Sequence, residues 1–233
     1  MNILITGSSR GIGAAAFALL RSAGHQVAGH STRGGDGLIA ADLIDPAAPR
    51  ALWDAALGRL DGRIDVLVNN AGIYEDSPDT LDDAAWQAAW SRTLTVNLQA
   101  SADLSRLAVQ HFRAQGGGRI VNVASRAAYR GDSPAHWHYA ASKAGMIAMT
   151  KSIARGYAAE GILAFAVCPG YTVTEMTEEY LRSRGGQAML ADIPLGRVAS
   201  ADEVGETIRW LSIDAPAAST GTVIDVNGAS YVR

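Results

Sequence analysis

The chain has 233 residues, 48% of them hydrophobic and 18% charged, a composition that excludes a disordered protein because it can bury a sizeable core. Twenty Lys and Arg against 23 Asp and Glu give a net charge of −3. The chain therefore lacks the basic excess that would indicate nucleic acid or an anionic membrane as a partner. The single cysteine, Cys168, excludes an internal disulfide and any metal site built from several cysteines.

The sequence also lacks the signals that direct a protein into or across a membrane. No apolar run reaches the roughly 18 residues that a spanning helix needs. Met1 and Asn2 lead directly into an apolar segment, without a charged leader. We therefore expect a soluble protein of the cytoplasm, and the single cysteine is compatible with the reducing conditions there.

Short apolar runs alternate with longer Ala-rich stretches along the chain. Strands are predicted at 3–5, 25–29, 38–40, 64–68, 119–123, 163–167 and 222–226. Helices are predicted near 12–23, 47–59, 82–113, 140–160 and 202–214, with a break near Leu94–Leu98 in the long third helix. Strands that alternate with helices indicate a parallel sheet covered on both faces. The predicted fold is therefore α/β, a single Rossmann-type domain over 1–233 with a doubly wound, seven-stranded parallel sheet.

Two connections depart from this alternation. The glycine-rich link at 33–37 leaves no room for a helix between the second and third strands. Residues 171–200 carry no clear strand and contain Gly185, Gly186 and Pro194. We expect a mobile substrate flap in that segment, beside the functional site.

A glycine-rich turn, Thr6-Gly7-Ser8-Ser9-Arg10-Gly11-Ile12-Gly13, lies between the first strand and the first helix. Glycines let the backbone turn sharply and approach a pyrophosphate closely, and the helix N-terminus offers unpaired N–H groups to the phosphates. A glycine spacing alone is a weak signal, but the strand–turn–helix context is the one that this motif requires. The turn therefore predicts a dinucleotide-binding site.

The end of the second strand distinguishes the two nicotinamide cofactors. A carboxylate there binds the ribose 2′-hydroxyl of NAD, whereas an arginine accommodates the 2′-phosphate of NADP. This chain has Ser31, Thr32 and Arg33 at that point, and Arg10 in the glycine turn is a second guanidinium for the phosphate. We favour NADP(H). NAD(H) stays open, because Asp36 lies just beyond and a flexible turn could bring its carboxylate back.

Tyr139 and Lys143 are four residues apart at the start of a predicted helix, so both project from one face. A free tyrosine has a pKa near 10 and is a poor base at neutral pH, and a neighbouring ammonium lowers that pKa by favouring the phenolate. Ser125 follows the preceding strand, at the carboxyl edge where open α/β sheets bind ligands. Because its hydroxyl could hydrogen-bond a substrate oxygen, the three side chains form a candidate acid–base site.

In this order, the motifs resemble the short-chain dehydrogenase/reductase family, and in particular its members similar to 3-oxoacyl-acyl-carrier-protein reductases. The resemblance runs nearly end to end. The matching segments are the glycine turn from Thr6 to Gly13, Asp42, Asn69-Asn70-Ala71-Gly72, Asn97, Ser125, Tyr139-Ala140-Ala141-Ser142-Lys143 and Pro169-Gly170-Tyr171-Thr172-Val173-Thr174. The interval between Ser125 and Tyr139 is slightly longer than in the family, and its loop at 130–138 should overhang the substrate.

The resemblance implies an oxidoreductase that interconverts a ketone and a secondary alcohol. Tyr139 is then the general acid in reduction and the base in oxidation, Lys143 lowers its pKa and holds the nicotinamide ribose, and Ser125 polarises the carbonyl. Asn97 is expected to kink its helix and hold a water that relays protons through Lys143. The turn and the resemblance together give these cofactor-binding residues: Gly7, Ser9, Arg10, Gly11, Ile12, Gly13, Ser31, Arg33, Asp42, Leu43, Asn70, Ala71, Gly72, Tyr139, Lys143, Pro169, Gly170, Val173 and Thr174.

The family also implies its partners, namely a small-molecule carbonyl or alcohol substrate and further copies of the chain. A homodimer or homotetramer would be joined through the helices at 82–113 and 140–160. A different class stays open, because some chains of this fold bind the cofactor and act as redox sensors or scaffolds without turnover. The presence of Asn97, Ser125, Tyr139 and Lys143 together favours the enzyme.

Three residues just before Tyr139 have alternative interpretations. His136 and His138 are spaced like a metal-binding pair, but no cysteine or acidic cluster accompanies them and we expect no metal. Trp137 forms either a wall of the substrate pocket or a packing contact against a helix.

Overall fold

The strands of this protein join edge to edge into one parallel sheet. They are β1 Asn2–Ile5, β2 Gln26–Ser31, β3 Ile39–Ala40, β4 Val66–Asn69, β5 Gly118–Val123, β6 Ile162–Pro169 and β7 Val223–Val226. The computed structural model describes residues 1–172 and 184–233, and within them the seven strands take the order β3-β2-β1-β4-β5-β6-β7. Each pairing between neighbours is parallel. The predicted sheet is therefore confirmed.

Helices cover both faces of the sheet. They are α1 Gly11–Ser22, α2 Ala48–Arg59, α3 Asp83–Leu94, α4 Ala100–Gln115, α5 Ala127–Arg130, α6 Trp137–Tyr157, α7 Arg184–Ala191 and α8 Ala201–Ile213. The link between β2 and β3 is a tight turn, closed by a hydrogen bond from the N–H of Leu38 to the carbonyl of Gly35 (2.8 Å). The prediction that no helix separates these two strands is confirmed.

The alternation of side chains along β1 shows why both faces of the sheet are buried. Leu4 packs on one face, in a cluster with Leu52 of α2 and Phe112 of α4. Ile3 and Ile5 point to the opposite face, into a cluster formed with α1 and α8. Burying a side chain of this size fully contributes about 1.5–3 kcal/mol relative to exposing it. The two clusters therefore hold the sheet between two helical layers, as the doubly wound prediction requires.

The long predicted helix at 82–113 changes its winding where we expected a break. α3 ends at Leu94, and a π-helical turn, Thr95–Gln99, leads directly into α4. The backbone at Leu94 and Ala100 stays helical, so the helix is widened and not interrupted. Asn97 lies in this turn, and wide turns of this kind are frequent at functional sites.

Among the described residues, two α-helices lie where the sequence predicts none. α5 is a single turn and too short to give a periodic pattern. α7 falls inside the predicted flap, where Gly185 and Gly186 each lower helix propensity by about 1 kcal/mol and therefore conceal it. The rest of the predicted flap includes 173–183, with Val173 and Thr174, and these residues lie outside the described part of the chain. The mobility of the flap stays a prediction.

Buried amides connect the centre of the sheet to α6. The Nδ2 atom of Asn69 in β4 donates to Oδ1 of Asn122 in β5 (2.9 Å). Nδ2 of Asn122 in turn donates to the hydroxyl of Thr150 (2.8 Å), which donates to the carbonyl of Met146. Asn69, Asn122 and Thr150 are all fully buried, so each bond replaces one that water would otherwise supply.

We expect Thr150→Val to destabilise the protein by about 1–3 kcal/mol, because it leaves Nδ2 of Asn122 buried without an acceptor. Thr150→Ser is the matched control, since it removes a methyl group but keeps the hydroxyl. The free energies of unfolding of the two variants in urea provide the test. A Val variant at least as stable as the Ser variant would show that the hydroxyl contributes nothing.

Candidate active site

A cleft of about 700 Å³ opens at the carboxyl edge of the sheet. Its walls come from segments that follow three neighbouring strands, with Gly72 after β4, Ser125 after β5 and Gly170 after β6. Because the carboxyl ends of parallel strands meet at one edge, residues far apart in sequence reach the same cavity. Helix α6 completes the cleft with Tyr139 and Lys143.

The predicted acid–base residues come together in this cleft. α6 begins at Trp137, so Tyr139 and Lys143 lie on its first two turns. Lys143 is almost fully buried, and its Nζ donates to the carbonyl of Val123 (2.9 Å) and lies 5.8 Å from the centre of the Tyr139 ring. Ser125 stays partly exposed on the connection after β5, where its Oγ accepts the N–H of Ala127.

Burial controls the protonation of the tyrosine and the lysine. It raises the pKa of Tyr139 to about 12, although an interaction with the Ser125 side chain offsets part of the shift. It also lowers the pKa of Lys143 to about 8. The net shift of the Tyr139 pKa in the protein alone is therefore upward and not downward as expected, because removing the phenolate from water dominates it. At neutral pH the Tyr139 hydroxyl keeps its proton.

Asn97 joins the π-helical turn to both neighbouring parts of the site. Its Oδ1 accepts the N–H of Ile73 (2.8 Å), and its Nδ2 donates to the carbonyl of Ile73 (3.0 Å) and to the hydroxyl of Ser142 in α6 (3.2 Å). A Cβ atom added to Gly72 would lie 3.2 Å from Oδ1 of Asn97 and 3.4 Å from Nζ of Lys143. The backbone at Gly72 therefore approaches both side chains closely.

The glycine turn has the shape that the dinucleotide prediction requires. Gly7 and Gly11 have positive φ angles of 69° and 57°. A Cβ atom on Gly13 would lie 2.1 Å from the carbonyl oxygen of Gly7, so a side chain is impossible there. No side chain caps the start of α1, and no acidic residue lies in its first turn. The first N–H groups of α1 are thus available to a phosphate, and the turn fits a dinucleotide.

Hydrogen bonds fix this turn to the end of β4. The hydroxyl oxygen of Thr6 accepts the N–H groups of Asn70 and Ala71, both at 3.0 Å. The side-chain amide of Asn70 donates to the carbonyls of Thr6 and Gly7, again at 3.0 Å. The glycine turn and the segment from Asn70 to Gly72 therefore form one rigid unit.

The residues predicted at the adenosine end lie around the ends of β1, β2 and β3. Arg10 and Arg33 are both exposed, and they follow the neighbouring strands β1 and β2. Ser31 is buried, and its hydroxyl donates to the carbonyl of Gly34 (3.2 Å). Asp36 is exposed in the tight turn, at a positive φ of 49°.

The remaining predicted cofactor residues differ in exposure. Ser9 and Asp42 are exposed, and Oδ1 of Asp42 accepts the N–H of Ile44 (3.1 Å). Leu43 is buried in the core cluster that also contains Leu4. Further residues predicted to bind the cofactor line the cleft itself: Ile12, Asn70, Gly72, Pro169 and Gly170.

Aromatic rings and the loop at 130–138 form the outer part of the site. Arg130, Gly131, Asp132 and Ser133 line the cleft, as expected for a loop that overhangs the substrate. The ring of Tyr74 stands edge-on to Tyr139 at 4.8 Å and stacks on His136 at 3.9 Å. Trp137 does not line the cleft. Its half-exposed ring meets Trp86 of α3 edge-on at 5.5 Å, which supports the packing alternative.

His136 makes contacts that do not involve a metal. Its Nδ1 lies 2.7 Å from the hydroxyl of Ser133, and its Nε2 lies 3.1 Å from Oδ1 of Asp76. Within 1–172 and 184–233, no group of three His, Cys, Asp or Glu side chains could hold a metal ion. The helices of those same residues are all too short or too polar to cross a bilayer.

His30 in β2 is a residue of the site that the sequence analysis did not select. It is buried, its Nδ1 accepts the N–H of Gly7 (3.1 Å), and its Nε2 lies 2.8 Å from the carbonyl oxygen of Ala41. Because the Gly7 N–H can only donate and the Ala41 carbonyl can only accept, the ring must be neutral with its proton on Nε2. The sequence feature that could have identified His30 is its place as a titratable residue near the carboxyl end of a predicted strand.

The chain is similar to known reductases over nearly its whole length. A family model described as enoyl-(acyl carrier protein) reductase matches residues 7–229. The acetoacetyl-CoA reductase of Rhizobium meliloti (strain 1021) is 33% identical over an alignment of 239 positions, which covers 98% of this chain and 97% of that protein. The 3-oxoacyl-acyl-carrier-protein reductase of Vibrio cholerae is 34% identical over an alignment of 241 positions, which covers 98% of this chain and 96% of that protein. The crystal structure of the TT0495 protein from Thermus thermophilus has a TM-score of 0.89 at 29% identity and covers 98% of both chains.

We expect protonation of His30 to destabilise the folded protein. Burial lowers the pKa of His30 below its unfolded value of about 6.5, and this outweighs the opposing effects of the hydrogen bond to Ala41 and of the charge on Asp42. Below about pH 6.5 the unfolded chain therefore binds the proton first, so the stability that is complete above this pH declines as the pH falls. The Tm of the wild type should drop more between about pH 7 and pH 5 than that of His30→Asn.

The asparagine oxygen can accept the Gly7 N–H but does not titrate, and the other histidines are common to both proteins. Thermal unfolding at several pH values makes the comparison. Parallel pH profiles would contradict the role of His30.

Proposed function

This chain belongs to the short-chain dehydrogenase/reductase family, and on that basis we propose that it is an NADP(H)-dependent enzyme that reduces a ketone to a secondary alcohol, or catalyses the reverse reaction. The observation that carries the proposal is that Ser125, Tyr139 and Lys143 line one cleft together with Ile12 of the glycine turn. Two relatives are named as reductases of acetoacetyl-CoA and of 3-oxoacyl groups on acyl carrier protein, which supports a ketone as the substrate class.

Each side chain then acts at a defined atom. Oγ of Ser125 donates a hydrogen bond to the substrate oxygen, and Oη of Tyr139 gives its proton to that oxygen in reduction and takes it back in oxidation. Nζ of Lys143 holds the nicotinamide ribose, and its charge stabilises the phenolate that remains. When bound, the nicotinamide supplies or accepts the hydride. Asn97 acts through position, since it holds Ile73 and α6 in register, and a water beside it relays protons through Lys143.

The protonation of Tyr139 suits its proposed role as the general acid of the reduction. With a pKa near 12, the hydroxyl enters the reaction already protonated at neutral pH. A general acid has to hold its proton before the reaction and release it as negative charge develops on the substrate oxygen. The oxidation direction would instead require the phenolate, which burial disfavours.

Cofactor binding is divided along the carboxyl edge of the sheet. The N–H groups of the glycine turn and of α1 bind the pyrophosphate, and Arg10 and Arg33 bind the 2′-phosphate of NADP(H). Asp42 contacts the adenine. The predicted residues after β4 and β6 would hold the nicotinamide: Asn70, Ala71, Gly72, Pro169 and Gly170, with Val173 and Thr174, which lie outside the described residues, as further predicted contacts. We further propose that the protein acts in the cytoplasm as a homodimer or homotetramer, as the family resemblance implies.

We expect Tyr139→Phe to lower kcat for a ketone by about a hundredfold or more, because it removes the proton donor. The dissociation constant for NADPH should stay within about twofold of the wild type, since the ring remains. Tyr157→Phe is the matched control, because it makes the same chemical change at the far end of α6 and outside the cleft. Oxidation of NADPH, followed by absorbance, gives the rates. Wild-type turnover by the Tyr139→Phe variant would remove this tyrosine from the mechanism.

We expect NADPH to bind at least about tenfold more tightly than NADH, a difference of about 1.4 kcal/mol. Arg33→Ala should remove most of this preference by weakening NADPH and leaving NADH unchanged. Arg113→Ala serves as the control, since this exposed arginine near the end of α4 lies at the opposite edge of the sheet and pairs with Glu160. Titration of nicotinamide fluorescence measures both constants. Equal binding of NADPH and NADH would contradict this prediction and make Asp36 the candidate residue for cofactor selection.

A further inference from the structure

An arginine with no role in the reaction described above directly follows the catalytic serine. Arg126 is 8% exposed and lines the same cleft as Ser125 and Tyr139. Its backbone N–H donates to the carbonyl of Pro169 (2.9 Å), so the residue is fixed between the ends of β5 and β6. A side chain of this length and charge is rarely buried without a partner.

Nη1 of the Arg126 guanidinium is buried and has no hydrogen-bond acceptor among residues 1–172 and 184–233. The nearest carboxylate oxygen, Oδ2 of Asp192, lies 3.6 Å from Nη1, beyond hydrogen-bond distance. That same oxygen is bonded at 2.6 Å to Nη1 of Arg130. Asp192 is also half-exposed, so water screens its charge. The carboxylate therefore compensates the buried guanidinium only in part.

The surroundings hold the guanidinium in place without using its donors. Its Cζ atom lies 4.2 Å from the centre of the Tyr171 ring, a cation–π contact. Such a contact uses the face of the guanidinium and none of its N–H groups, which form the fork that matches a carboxylate or phosphate. A buried charge with unmet hydrogen bonds is costly unless a ligand supplies the missing acceptors.

We propose that Arg126 binds an oxoanion carried by the carbonyl substrate, with Arg130 as the second cation of that subsite. This inference rests on the proposed function and adds the chemical class of the substrate. Ser125 and Arg126 both line the cleft, so one molecule can place its ketone at Ser125 and its anionic group at Arg126. A keto acid meets this requirement, and a keto phosphate carries the same chemistry.

The experiment compares three ketones with NADPH: acetoacetate, dihydroxyacetone phosphate and the neutral ethyl acetoacetate. The wild type should have a kcat/KM for at least one anionic ketone about tenfold or more above that for the ester. Arg126→Gln should lower kcat/KM for that anion about thirtyfold or more, mainly through KM, and change the ester by less than about threefold. Arg126→Lys should recover part of the loss, since it keeps the charge but not the fork. The two anions distinguish a carboxylate substrate from a phosphate substrate.

Removal of the Asp192 carboxylate, which competes with the substrate anion, distinguishes an anion-binding Arg126 from a purely structural one. Asp192→Asn should lower KM for the anionic ketone by about threefold, because it removes a carboxylate that competes for the same guanidinium. Arg113→Gln removes one positive charge, as Arg126→Gln does, but Arg113 pairs with Glu160 away from the cleft. This control should leave kcat/KM unchanged for the anionic ketone and for the ester. If Arg126→Gln lowers the rates for acid and ester equally, or if Asp192→Asn raises KM for the anion, the inference is overturned.

A separate binding measurement keeps the inference apart from the proposed function. If the protein binds NADPH but reduces none of the ketones, the proposed function fails. Malonate and inorganic phosphate are then titrated calorimetrically into the NADPH-loaded protein at constant ionic strength. Binding to the wild type that Arg126→Gln abolishes supports an anion subsite, and equal or absent binding overturns it. Circular dichroism shows whether the Arg126→Gln variant is folded. If it is not, the effect of Asp192→Asn on anion binding tests the inference instead.

Discussion

A series of hydrogen bonds along the carboxyl edge of the sheet is the constraint on which the site depends. It starts at the hydroxyl of Thr6, which accepts the N–H of Asn70, and it resumes at Ile73, whose backbone is held on both sides by Asn97. Asn97 then donates to the hydroxyl of Ser142 in α6. The glycine turn, the end of β4, the π-helical turn and the helix that carries the tyrosine and lysine are thus connected in sequence. These bonds lie in or beside the core, where water replaces them poorly, so they hold the four parts in a fixed arrangement.

Burial also sets the charges of the cleft. It raises the pKa of Tyr139 and lowers the pKa of Lys143, so both groups are shifted toward their neutral forms. The cleft also contains the guanidinium of Arg126, which the carboxylate of Asp192 compensates only in part. The cleft therefore combines a protonated tyrosine with an incompletely compensated positive charge. That combination suits an acceptor carbonyl in an anionic molecule, since proton donation and charge pairing then act on the same substrate.

The sequence predicts the framework of this protein better than its energetics. Apolar runs place the seven strands of the described residues, most clearly the central β1 and β4, which are buried on both faces and almost entirely apolar. The glycine turn is predictable because Gly13 touches the carbonyl of Gly7, and no other residue fits there. The protonation of Tyr139 is not predictable from the spacing to Lys143, because it depends on burial by residues from several strands. His30 escapes detection for the same reason, since its partners Gly7 and Ala41 meet it only after the strands pair.

The division between framework and loops explains why the reaction class follows from the sequence more readily than the substrate does. Tyr139 and Lys143 are held by a long helix, and Asn97 by a helical turn, so their positions are set by regular structure. Arg126 and Arg130 belong to a short turn of helix after β5, and their common carboxylate, Asp192, follows α7 on a distant part of the chain. Such segments vary without disturbing the sheet, which lets one catalytic framework accept different substrates. The identity of the anion that Arg126 meets therefore depends on the geometry of the loops, whereas the chemistry performed on it depends on the edge of the sheet.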